Sequence, residues 1–453
     1  MSECNQTAFP FEGHFSRGVV AQFDGAQMTT DGGALLLREA DRKIGLLKRV
    51  AACFTDTRDP QRVEHELSEM LAQRIYGLAL GYEDLNDHEE LRRDPLLGLL
   101  AGKRELGEPL AGKSTLNRLE LTPVGSPHTE RYHKIGYSAA ALDTLLVDVF
   151  LEAYQKPPRE IVLDLDATDT PLHGEQEGRF FHGYYNQYCY LPLYIFCGEH
   201  LLCARLRPAN IDASAGSVGE IERIVQQIRR RWPRVHITLR ADSGFCREEL
   251  MAWCEANDVE YVFGFARNER LRRTIAGPLR EAKREYRRTG KAARVFVEFF
   301  YCTRLSWSRR RRVVAKAEHL AKGENPRFVV TSLPAERWPA QELYERLYCA
   351  RGEMENRIKE QLSLFSDRLS TETMRSNQLR LYFSSLAYVL VQALRRLALT
   401  GTEWATAQVE TIRLRLLKIA AEVRLTARRI WVRYSRAYPW KALFVTAYAA
   451  LSG

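Results

Sequence analysis

Two aspartates stand inside one of the most apolar segments of the chain. Residues 161–168 read Ile-Val-Leu-Asp-Leu-Asp-Ala-Thr, so Asp164 and Asp166 are two positions apart and share one face of a β-strand. A carboxylate inside such a strand is costly unless an opposite charge or a metal ion compensates it. The segment therefore indicates either a metal ligand or a strand end whose solvated aspartates begin a turn.

A third aspartate, Asp242, closes another apolar-alternating run. Residues 236–244 read His-Ile-Thr-Leu-Arg-Ala-Asp-Ser-Gly, in which a strand meets a Ser-Gly turn. The carboxyl end of a strand is where open α/β sheets place their ligands. Aspartate also caps ordinary turns, so this position alone does not distinguish a ligand from a turn residue.

A glutamate, Glu355, lies in a long helical pattern that begins at Ala340. A polar stripe runs about a quarter-turn from the apolar stripe of this helix and contains Tyr348, Arg351, Glu355 and Lys359. Such a stripe is also typical of a solvated border with i,i+4 ion pairs. Two strand aspartates and a helix glutamate are, however, the ligands that two divalent cations roughly 4 Å apart need for phosphodiester chemistry.

Basic residues cluster in two places. Trp307 is followed by Arg309, Arg310, Arg311 and Arg312, and from Thr411 onward nine Lys and Arg stand against one acidic residue. Arginine binds phosphates and an indole can hold an unstacked base, which favours DNA contact. The first cluster also fits a hairpin with one core tryptophan and a solvated basic edge.

The elements that must position these residues follow from the periodicity. Of 453 residues, 45% are hydrophobic and the formal net charge is +10, which excludes disorder over most of the length and favours a polyanionic partner. Apolar periodicity predicts helices, without a clear β pattern, in the first 150 residues. Strands are predicted at Ile161–Ala167, Cys189–Cys197 and Leu201–Leu206, followed by alternating helices and strands up to Phe265.

We therefore predict an α/β fold with a mixed sheet, flanking helices and a β-rich insertion. The predicted segments are a helical N-terminal region that binds DNA ends (1–155), a first catalytic part (156–267), a basic insertion (268–338), a glutamate helix (339–370) and a helical and basic C-terminal region (371–453). Neither a signal peptide nor a membrane span is indicated, so we expect a cytoplasmic protein. Residues 107–114 spell a phosphate loop, but no strand precedes them and no nucleotide cofactor is expected.

The combination of motifs resembles a known family. A strand with Asp166, a strand ending at Asp242 and a helix with Tyr348, Arg351 and Glu355 are similar to the DDE transposases of bacterial insertion sequences, in the subgroup with a Y-R-E-K signature. The phrases that most resemble the insertion-sequence thirteen-eighty family are T-T-D-G-G-A-L-L-L at 29–37, D-A-T at 166–168, R-A-D-S-G-F at 240–245 and R-G-E-M-E-N-R at 351–357. The resemblance covers nearly the whole chain.

This resemblance implies a ribonuclease H-like transposase that binds the terminal inverted repeats of an insertion sequence, then cleaves DNA and transfers strands. Asp166, Asp242 and Glu355 would be the catalytic residues and would hold two Mg²⁺ ions, for which Mn²⁺ would substitute. Asp164 is the second choice, because only Asp166 gives the Asp-x-Thr pattern of the family.

Its partners would be double-stranded DNA, as transposon ends and target, and a second copy of the chain in the synaptic complex. The expected DNA contacts are Tyr348, Arg351 and the cluster of Trp307 and Arg309 to Arg312. Lys359 would replace the signature lysine, whose position is held by Leu362. A ribonuclease H-like nuclease without strand transfer and an inactive DNA-binding protein are the competing hypotheses.

Overall fold

Apolar runs between residues 160 and 331 form one mixed sheet in the computed structural model, which describes residues 8–123, 125, 128–129 and 132–453. The strands are β1 (Phe9–His14), β2 (Arg17–Ala21), β3 (Met28–Thr29), β4 (Phe54–Asp56), β5 (Ile135–Tyr137), β6 (Glu160–Ala167), β7 (Thr170–Pro171), β8 (Phe180–His182), β9 (Gln187–Tyr190), β10 (Leu193–Cys197), β11 (His200–Arg205), β12 (His236–Ala241), β13 (Glu260–Phe265), β14 (Ala293–Tyr301), β15 (Arg311–Leu320), β16 (Gly323–Glu324), β17 (Arg327–Thr331), β18 (Ala421–Leu425) and β19 (Ile430–Tyr434).

Helices precede, flank and follow this sheet. They are α1 (Leu35–Ile44), α2 (Leu46–Ala51), α3 (Leu67–Leu80), α4 (His88–Leu91), α5 (Pro95–Ala101), α6 (Lys113–Glu120), α7 (Ala139–Glu152), α8 (Ser217–Arg231), α9 (Glu248–Ala256), α10 (Glu269–Thr274), α11 (Ala276–Thr289), α12 (Ala340–Glu342), α13 (Gly352–Leu362), α14 (Met374–Leu394), α15 (Val409–Ile412) and α16 (Lys441–Ser452).

The large sheet has the strand order β11-β10-β6-β12-β13-β17-β15-β14, with β16 paired to β15. Its three central strands, β6, β12 and β13, are parallel, and the strands on either side of them are antiparallel. The predicted mixed α/β sheet is thus confirmed. Parallel central strands need both faces covered, which explains their nearly continuous apolar sequences.

Each face of the sheet has its own apolar cluster. On one face, helices α7, α8 and α9 bury residues such as Phe150, Ile224 and Leu250 against the sheet. On the other face, Leu343 and Leu347 pack against Val262, Val314 and Val329. Helix α8 forms where its sequence predicts, because Ile221, Ile224, Val225 and Ile228 recur on one side of the helix.

The structure corrects two strand predictions. The segment predicted as one strand, Cys189–Cys197, is divided by Pro192 into β9, which pairs with β7 and β8, and β10, which pairs with β6 and β11. Proline has no N–H to donate to the ladder. The first 150 residues, predicted without strands, contain β1 to β5, whose partners in two cases lie far away in the chain.

The predicted insertion, residues 268–338, continues the central sheet. Its strands β14, β15 and β17 extend the central sheet, because β17 pairs antiparallel with β13, and its basic first part forms α10 and α11. A later strand can pair with the exposed edge of an existing sheet without forming a core of its own. The local sequence of the strand does not reveal such pairing.

Residue contacts divide the chain into two compact units. One contains residues 1–51, 58–119 and 393–453, and the other contains 52–57 and 120–392. The five predicted segments are consecutive in the chain. The first unit, by contrast, contains both ends of the chain, since β18 pairs with β3. Among the described residues, none of the helices combines the length and apolar character that a bilayer crossing requires.

Candidate active site

The carboxyl ends of β6 and β12 bring two of the predicted aspartates to one place. Ala241 is opposite Leu165 in the parallel register, so Asp242, the next residue, lies beside Asp166. The Asp242 carboxylate caps a short 3-10 turn, Ser243–Phe245, by accepting a hydrogen bond of 2.8 Å from the Gly244 N–H. The turn fixes the carboxylate at the sheet edge.

A glycine in the neighbouring strand makes this turn possible. A Cβ atom on Gly264 of β13 would lie 2.5 Å from the Tyr348 hydroxyl and 3.0 Å from the Ser243 nitrogen. Only glycine therefore allows the tyrosine and the Asp242 turn to approach β13 together. Gly264 was not among the predicted site residues, although a glycine inside a strand is a known sign of close backbone approach.

The glutamate helix changes its backbone type along its length. Between α12 and α13, residues Leu343–Tyr348 form a π-helix and Cys349–Arg351 a 3-10 turn. The predicted continuous α-helix is thus interrupted where its apolar side chains pack on the sheet. Such interruptions often occur at functional sites, and this one leads directly to Arg351 and Glu355.

Arg351 connects two of the three carboxylates. Its Nη1 lies 3.2 Å from Asp166 Oδ2, and its Nη2 lies 3.0 Å from Glu355 Oε1. The Arg351 side chain is mostly buried, whereas that of Glu355 is about half exposed. The guanidinium therefore supplies the positive charge between these acids in this structure.

The pKa of Asp166 is raised to about 6, mainly by burial and also by the charges of Asp242 and Glu355, against the opposing effect of Arg351. A carboxyl group with this environment binds a proton or a cation more readily than an exposed one. Perturbed carboxyl groups of this kind cluster at functional sites.

Asp164 lies in a different environment from Asp166. Its two oxygens accept hydrogen bonds of 2.5 and 2.8 Å from Arg240, which also donates to the Leu347 carbonyl oxygen at 2.6 Å. Both residues of this ion pair are buried. Since Arg240 compensates the charge of Asp164, the alternative first metal ligand is held in a structural ion pair.

The three carboxylates line one cavity of about 630 Å³, together with Lys359 and Leu362. Within the described residues, no group of three or more His, Cys, Asp or Glu side chains is gathered closely enough to hold a metal ion. Carboxylate oxygens are nevertheless the ligands that Mg²⁺ prefers. The donor set fits a divalent cation, provided that Arg351 leaves its position between the acids.

The tryptophan of the arginine cluster lies in the protein interior. Trp307 is 9% exposed, and its ring centroid is 5.1 Å from that of Phe265 and 5.9 Å from that of Tyr301. The structure thus matches the alternative of a core tryptophan. A contact between Trp307 and a base would require it to leave this packing.

The arginines beside it divide into two groups. Arg311 is buried and pairs with Glu248 at 2.6 Å and Glu255 at 2.7 Å, while Arg312 is buried and donates to the Leu333 carbonyl oxygen at 2.8 Å. Arg309 and Arg310 are exposed. Of the predicted DNA contacts in this cluster, Arg309 and Arg310 lie at the surface, whereas Trp307, Arg311 and Arg312 are buried.

Residues 107–114, which match the phosphate-loop pattern, do not follow a strand as a phosphate loop does. A helix, α5, precedes them, and the Lys113 N–H at the start of α6 donates a hydrogen bond of 2.8 Å to Glu89 Oε1. A carboxylate therefore occupies the place that a nucleotide phosphate would need.

Another set of cavity residues was not predicted. His182, Tyr184 and Tyr185, at the turn between β8 and β9, line the same cavity as the three carboxylates. The dense aromatic sequence of residues 180–190 is the signal that could have identified them.

Comparison with known proteins identifies the family of the chain. No curated protein matches the chain. Among solved structures, it is similar to the piggyBac transposase in a cryo-EM structure of the synaptic complex with hairpin DNA, at 11% identity and a TM-score of 0.41 over 85% of this chain and 79% of that chain. The family described as transposase DDE domain group 1 matches residues 11–453, and the chain therefore belongs to the DDE transposases.

Proposed function

We propose that the chain binds the ends of an insertion sequence, cleaves the DNA there and transfers the freed strand to target DNA. The observation that carries this proposal is the single cavity lined by Asp166, Asp242 and Glu355, in which Asp166 is largely buried. Membership of the DDE transposase family supports the same activity. The proposed subgroup remains the Y-R-E-K type, closest to the insertion-sequence thirteen-eighty family.

The strand order supports a ribonuclease H-like catalytic domain. Three consecutive antiparallel strands in space, β11, β10 and β6, continue into the parallel strands β12 and β13. In this arrangement two acids occupy adjacent central strands, while a helix after the last strands brings the third. We infer that the sheet keeps the aspartates fixed and that the helix lets Glu355 adjust.

Two Mg²⁺ ions held by these carboxylates would activate the attacking oxygen and stabilise the leaving oxygen of the phosphodiester, and Mn²⁺ would substitute. Arg351 would then turn from the acids to a DNA phosphate, because a guanidinium can bind two phosphate oxygens at once. Exposed Lys359 lies one turn beyond Glu355 and would contact the next phosphate. Tyr348, whose hydroxyl lies close against Gly264, would position the Asp242 turn beside the DNA.

The C-terminal hairpin supports DNA binding outside the cavity. In the register of β18 and β19, Arg424 is opposite Trp431, and Arg433 is two residues further along the same face. The guanidinium of Arg429 lies 5.6 Å, and that of Arg433 6.0 Å, from the centre of the Trp431 ring. We infer that this exposed basic face, here called the C-terminal ribbon, contacts the phosphates of double-stranded DNA.

A cleavage assay tests the catalytic assignment. Asp242→Ala should retain binding to a duplex from the DNA that flanks the gene but lose Mg²⁺-dependent cleavage, because one metal ligand is removed. Glu355→Gln should behave in the same way. Exposed Glu353→Gln, on the same helix, is the matched control and should cleave normally. Normal cleavage by Asp242→Ala would disprove the assignment.

The products of the same assay distinguish the competing hypotheses. A transposase joins the freed ends to a target plasmid, whereas a nuclease releases broken ends that are never joined. We expect joined products that contain two ends, because synapsis requires two copies of the chain. Joining of single ends by a monomer would contradict the proposed dimer.

A further inference from the structure

A small hairpin beside the active-site cavity exposes several aromatic rings. Its strands are β8 and β9, with Gly183 to Asn186 between them, and we call residues 180–190 the aromatic hairpin. Phe181 and Tyr188 face each other across its strands, with ring centroids 5.5 Å apart. Phe181 is 53% exposed, and Tyr184, at the tip, is 86% exposed.

The base of the aromatic hairpin is firmly attached to the strand that carries Asp166. Strand β9 pairs with β7, which follows β6 closely, and the Gln187 amide donates a hydrogen bond to Asp169. Further back, Tyr190 is buried and its hydroxyl accepts a hydrogen bond of 3.2 Å from Asn377. The position of the tip is therefore coupled to the position of Asp166.

The tip is also held in one conformation. Asn186 has a φ of +54°, and its N–H donates to the His182 carbonyl oxygen at 2.8 Å, which closes the turn. The Tyr185 ring packs at a tilt against His182, with centroids 4.9 Å apart, and edge to face against Tyr184, at 5.0 Å. A preorganised turn of this kind loses little conformational entropy when its rings contact a ligand.

The location of the tip restricts the chemistry of that ligand. Tyr184, Tyr185 and His182 line the cavity together with Asp166, Arg351 and Lys359. A DNA strand whose phosphate enters this cavity brings its bases to the cavity rim. Exposed aromatic rings at that rim have the shape and polarity that stack on a base removed from the duplex.

Trp307 is not available for this purpose, because it is buried against Phe265 and Tyr301. Beside the tip, the Arg179 guanidinium lies 3.9 Å above the Tyr188 ring and also pairs with Glu175 at 2.8 Å, so it fixes that ring in place. Exposed aromatic rings with an arginine beside them are typical of surfaces that bind single-stranded nucleic acid.

We propose that the aromatic hairpin, through Tyr184 at its tip, stacks on an unpaired base next to the phosphate that is cut. This inference rests on the proposed function and specifies how the DNA strand is held in the cavity. Stacking would keep the strand separated from its complement while the carboxylates act on its phosphate. Tyr184 would thus be a DNA-positioning residue rather than a metal ligand.

Fluorescence of 2-aminopurine tests the proposal. The probe is a duplex from the DNA that flanks the gene, with 2-aminopurine at successive positions around the cleavage site, in Ca²⁺ so that binding occurs without cleavage. The wild-type protein should change the fluorescence at one or two positions only. Tyr184→Ala should abolish this change and weaken cleavage by about 5-fold to 150-fold, the range expected for one stacked base.

Three controls make the result specific. Tyr184→Phe keeps the ring and should keep the signal, and Tyr448→Ala removes a tyrosine that is exposed elsewhere and should not change it. An abasic nucleotide at the responding position should restore cleavage by Tyr184→Ala, because no base then has to be held. Loss of the signal in Tyr448→Ala would show that the fluorescence reports general binding and would overturn the proposal.

The outcomes separate this proposal from the proposed function. An unchanged 2-aminopurine signal in Tyr184→Ala, with cleavage still abolished by Asp242→Ala, would overturn the stacking role and leave the transposase assignment intact. Cleavage that survives in Asp242→Ala would instead overturn the catalytic assignment, whatever the fluorescence shows.

Discussion

At the scale of single residues, the two aspartates of β6 show how neighbours of identical type acquire different functions. Asp164 faces Arg240 and forms a buried ion pair, whereas Asp166 faces Asp242, Glu355 and Arg351. The first arrangement stabilises the fold, and the second leaves a carboxylate that a cation can bind. Strand periodicity places both on one face but does not assign their partners.

Gly264→Ala should damage the active site without touching a carboxylate. The added Cβ would lie 2.5 Å from the Tyr348 hydroxyl and 3.0 Å from the Ser243 nitrogen, so the Asp242 turn must shift. We expect a loss of about 1–3 kcal/mol in the free energy of unfolding and weaker Mn²⁺ binding, measured by thermal denaturation and titration calorimetry. Adding Tyr348→Phe should recover part of the stability, because it removes the nearest atom. No recovery in the double variant would contradict this explanation.

Arg311→Gln tests whether the arginine cluster is structural. Burial raises the pKa of Glu255, but the hydrogen bonds from Arg311 and Tyr261 and the charges of Arg311 and Arg309 together lower it more, so the pKa lies below its ordinary value. The pairing therefore stabilises the fold above the ordinary glutamate pKa and is lost as pH falls through the lower pKa of the folded state. Removal of Arg311 should cost about 3 kcal/mol near neutral pH.

Urea unfolding at neutral and acidic pH measures this effect. The cost of Arg311→Gln should shrink in acid, because the unpaired Glu248 and Glu255 can then be protonated. Arg309→Gln, whose side chain is 58% exposed, is the control and should cost little. Equal costs for the two variants would show that burial of Arg311 has no energetic importance.

At the scale of elements, the C-terminal ribbon shows how strand alternation separates two functions. Val423 and Val432 face one side, while Arg424, Trp431 and Arg433 face the other. The apolar side packs within its own unit, where β18 also pairs with β3. The basic side remains exposed, so charge and packing do not compete for the same positions.

Salt dependence of DNA binding measures the contribution of this ribbon. Arg424→Gln with Arg433→Gln should reduce the slope of log K against log salt by about 0.9 for each phosphate that the ribbon no longer neutralises. Lysine at the same two positions should keep most of the slope, because it retains the charge. An unchanged slope in the glutamine variant would exclude the ribbon from the DNA interface.

At the scale of the whole molecule, the two ends of the chain build one unit together. The Thr-Thr-Asp-Gly-Gly phrase near the N-terminus packs against the C-terminal segment: Gly32 donates to the Ile419 carbonyl oxygen at 2.8 Å, and Asp31 pairs with Lys418 at 2.8 Å. Arg413 also donates to the Ala79 carbonyl oxygen at 3.0 Å. Residues 393–453 are thus part of this unit.

Gly33→Ala should disrupt that unit. Its Cβ would lie 1.9 Å from the Leu416 carbonyl oxygen, a backbone atom that cannot turn aside. We expect a loss of at least about 3 kcal/mol in the free energy of unfolding, with faster hydrogen exchange in both α3 and β18. Gly25→Ala, which has no atom within 4 Å of the added Cβ, is the matched control. Faster exchange in only one of the two elements would argue against a shared unit.

Much of the fold and part of the site could be predicted from the sequence because their signals are local. Apolar periodicity predicted the first and last residues of α8, β12 and β13. The acidic residues of the site could be selected by their positions at strand ends and on a helix. The register that aligns Asp242 with Asp166 agrees with the expectation that both lie at one edge of the sheet.

Only the tertiary structure decided which charged residues are available for function. Arg240 forms an ion pair with Asp164, and Arg311 forms ion pairs with Glu248 and Glu255. The Trp307 ring packs against Phe265. These partners lie from tens of residues to more than seventy positions away in the chain, as in the Arg240–Asp164 hydrogen bond. A sequence determines which side chains can carry charge, but burial and pairing depend on contacts that exist only after the chain has folded.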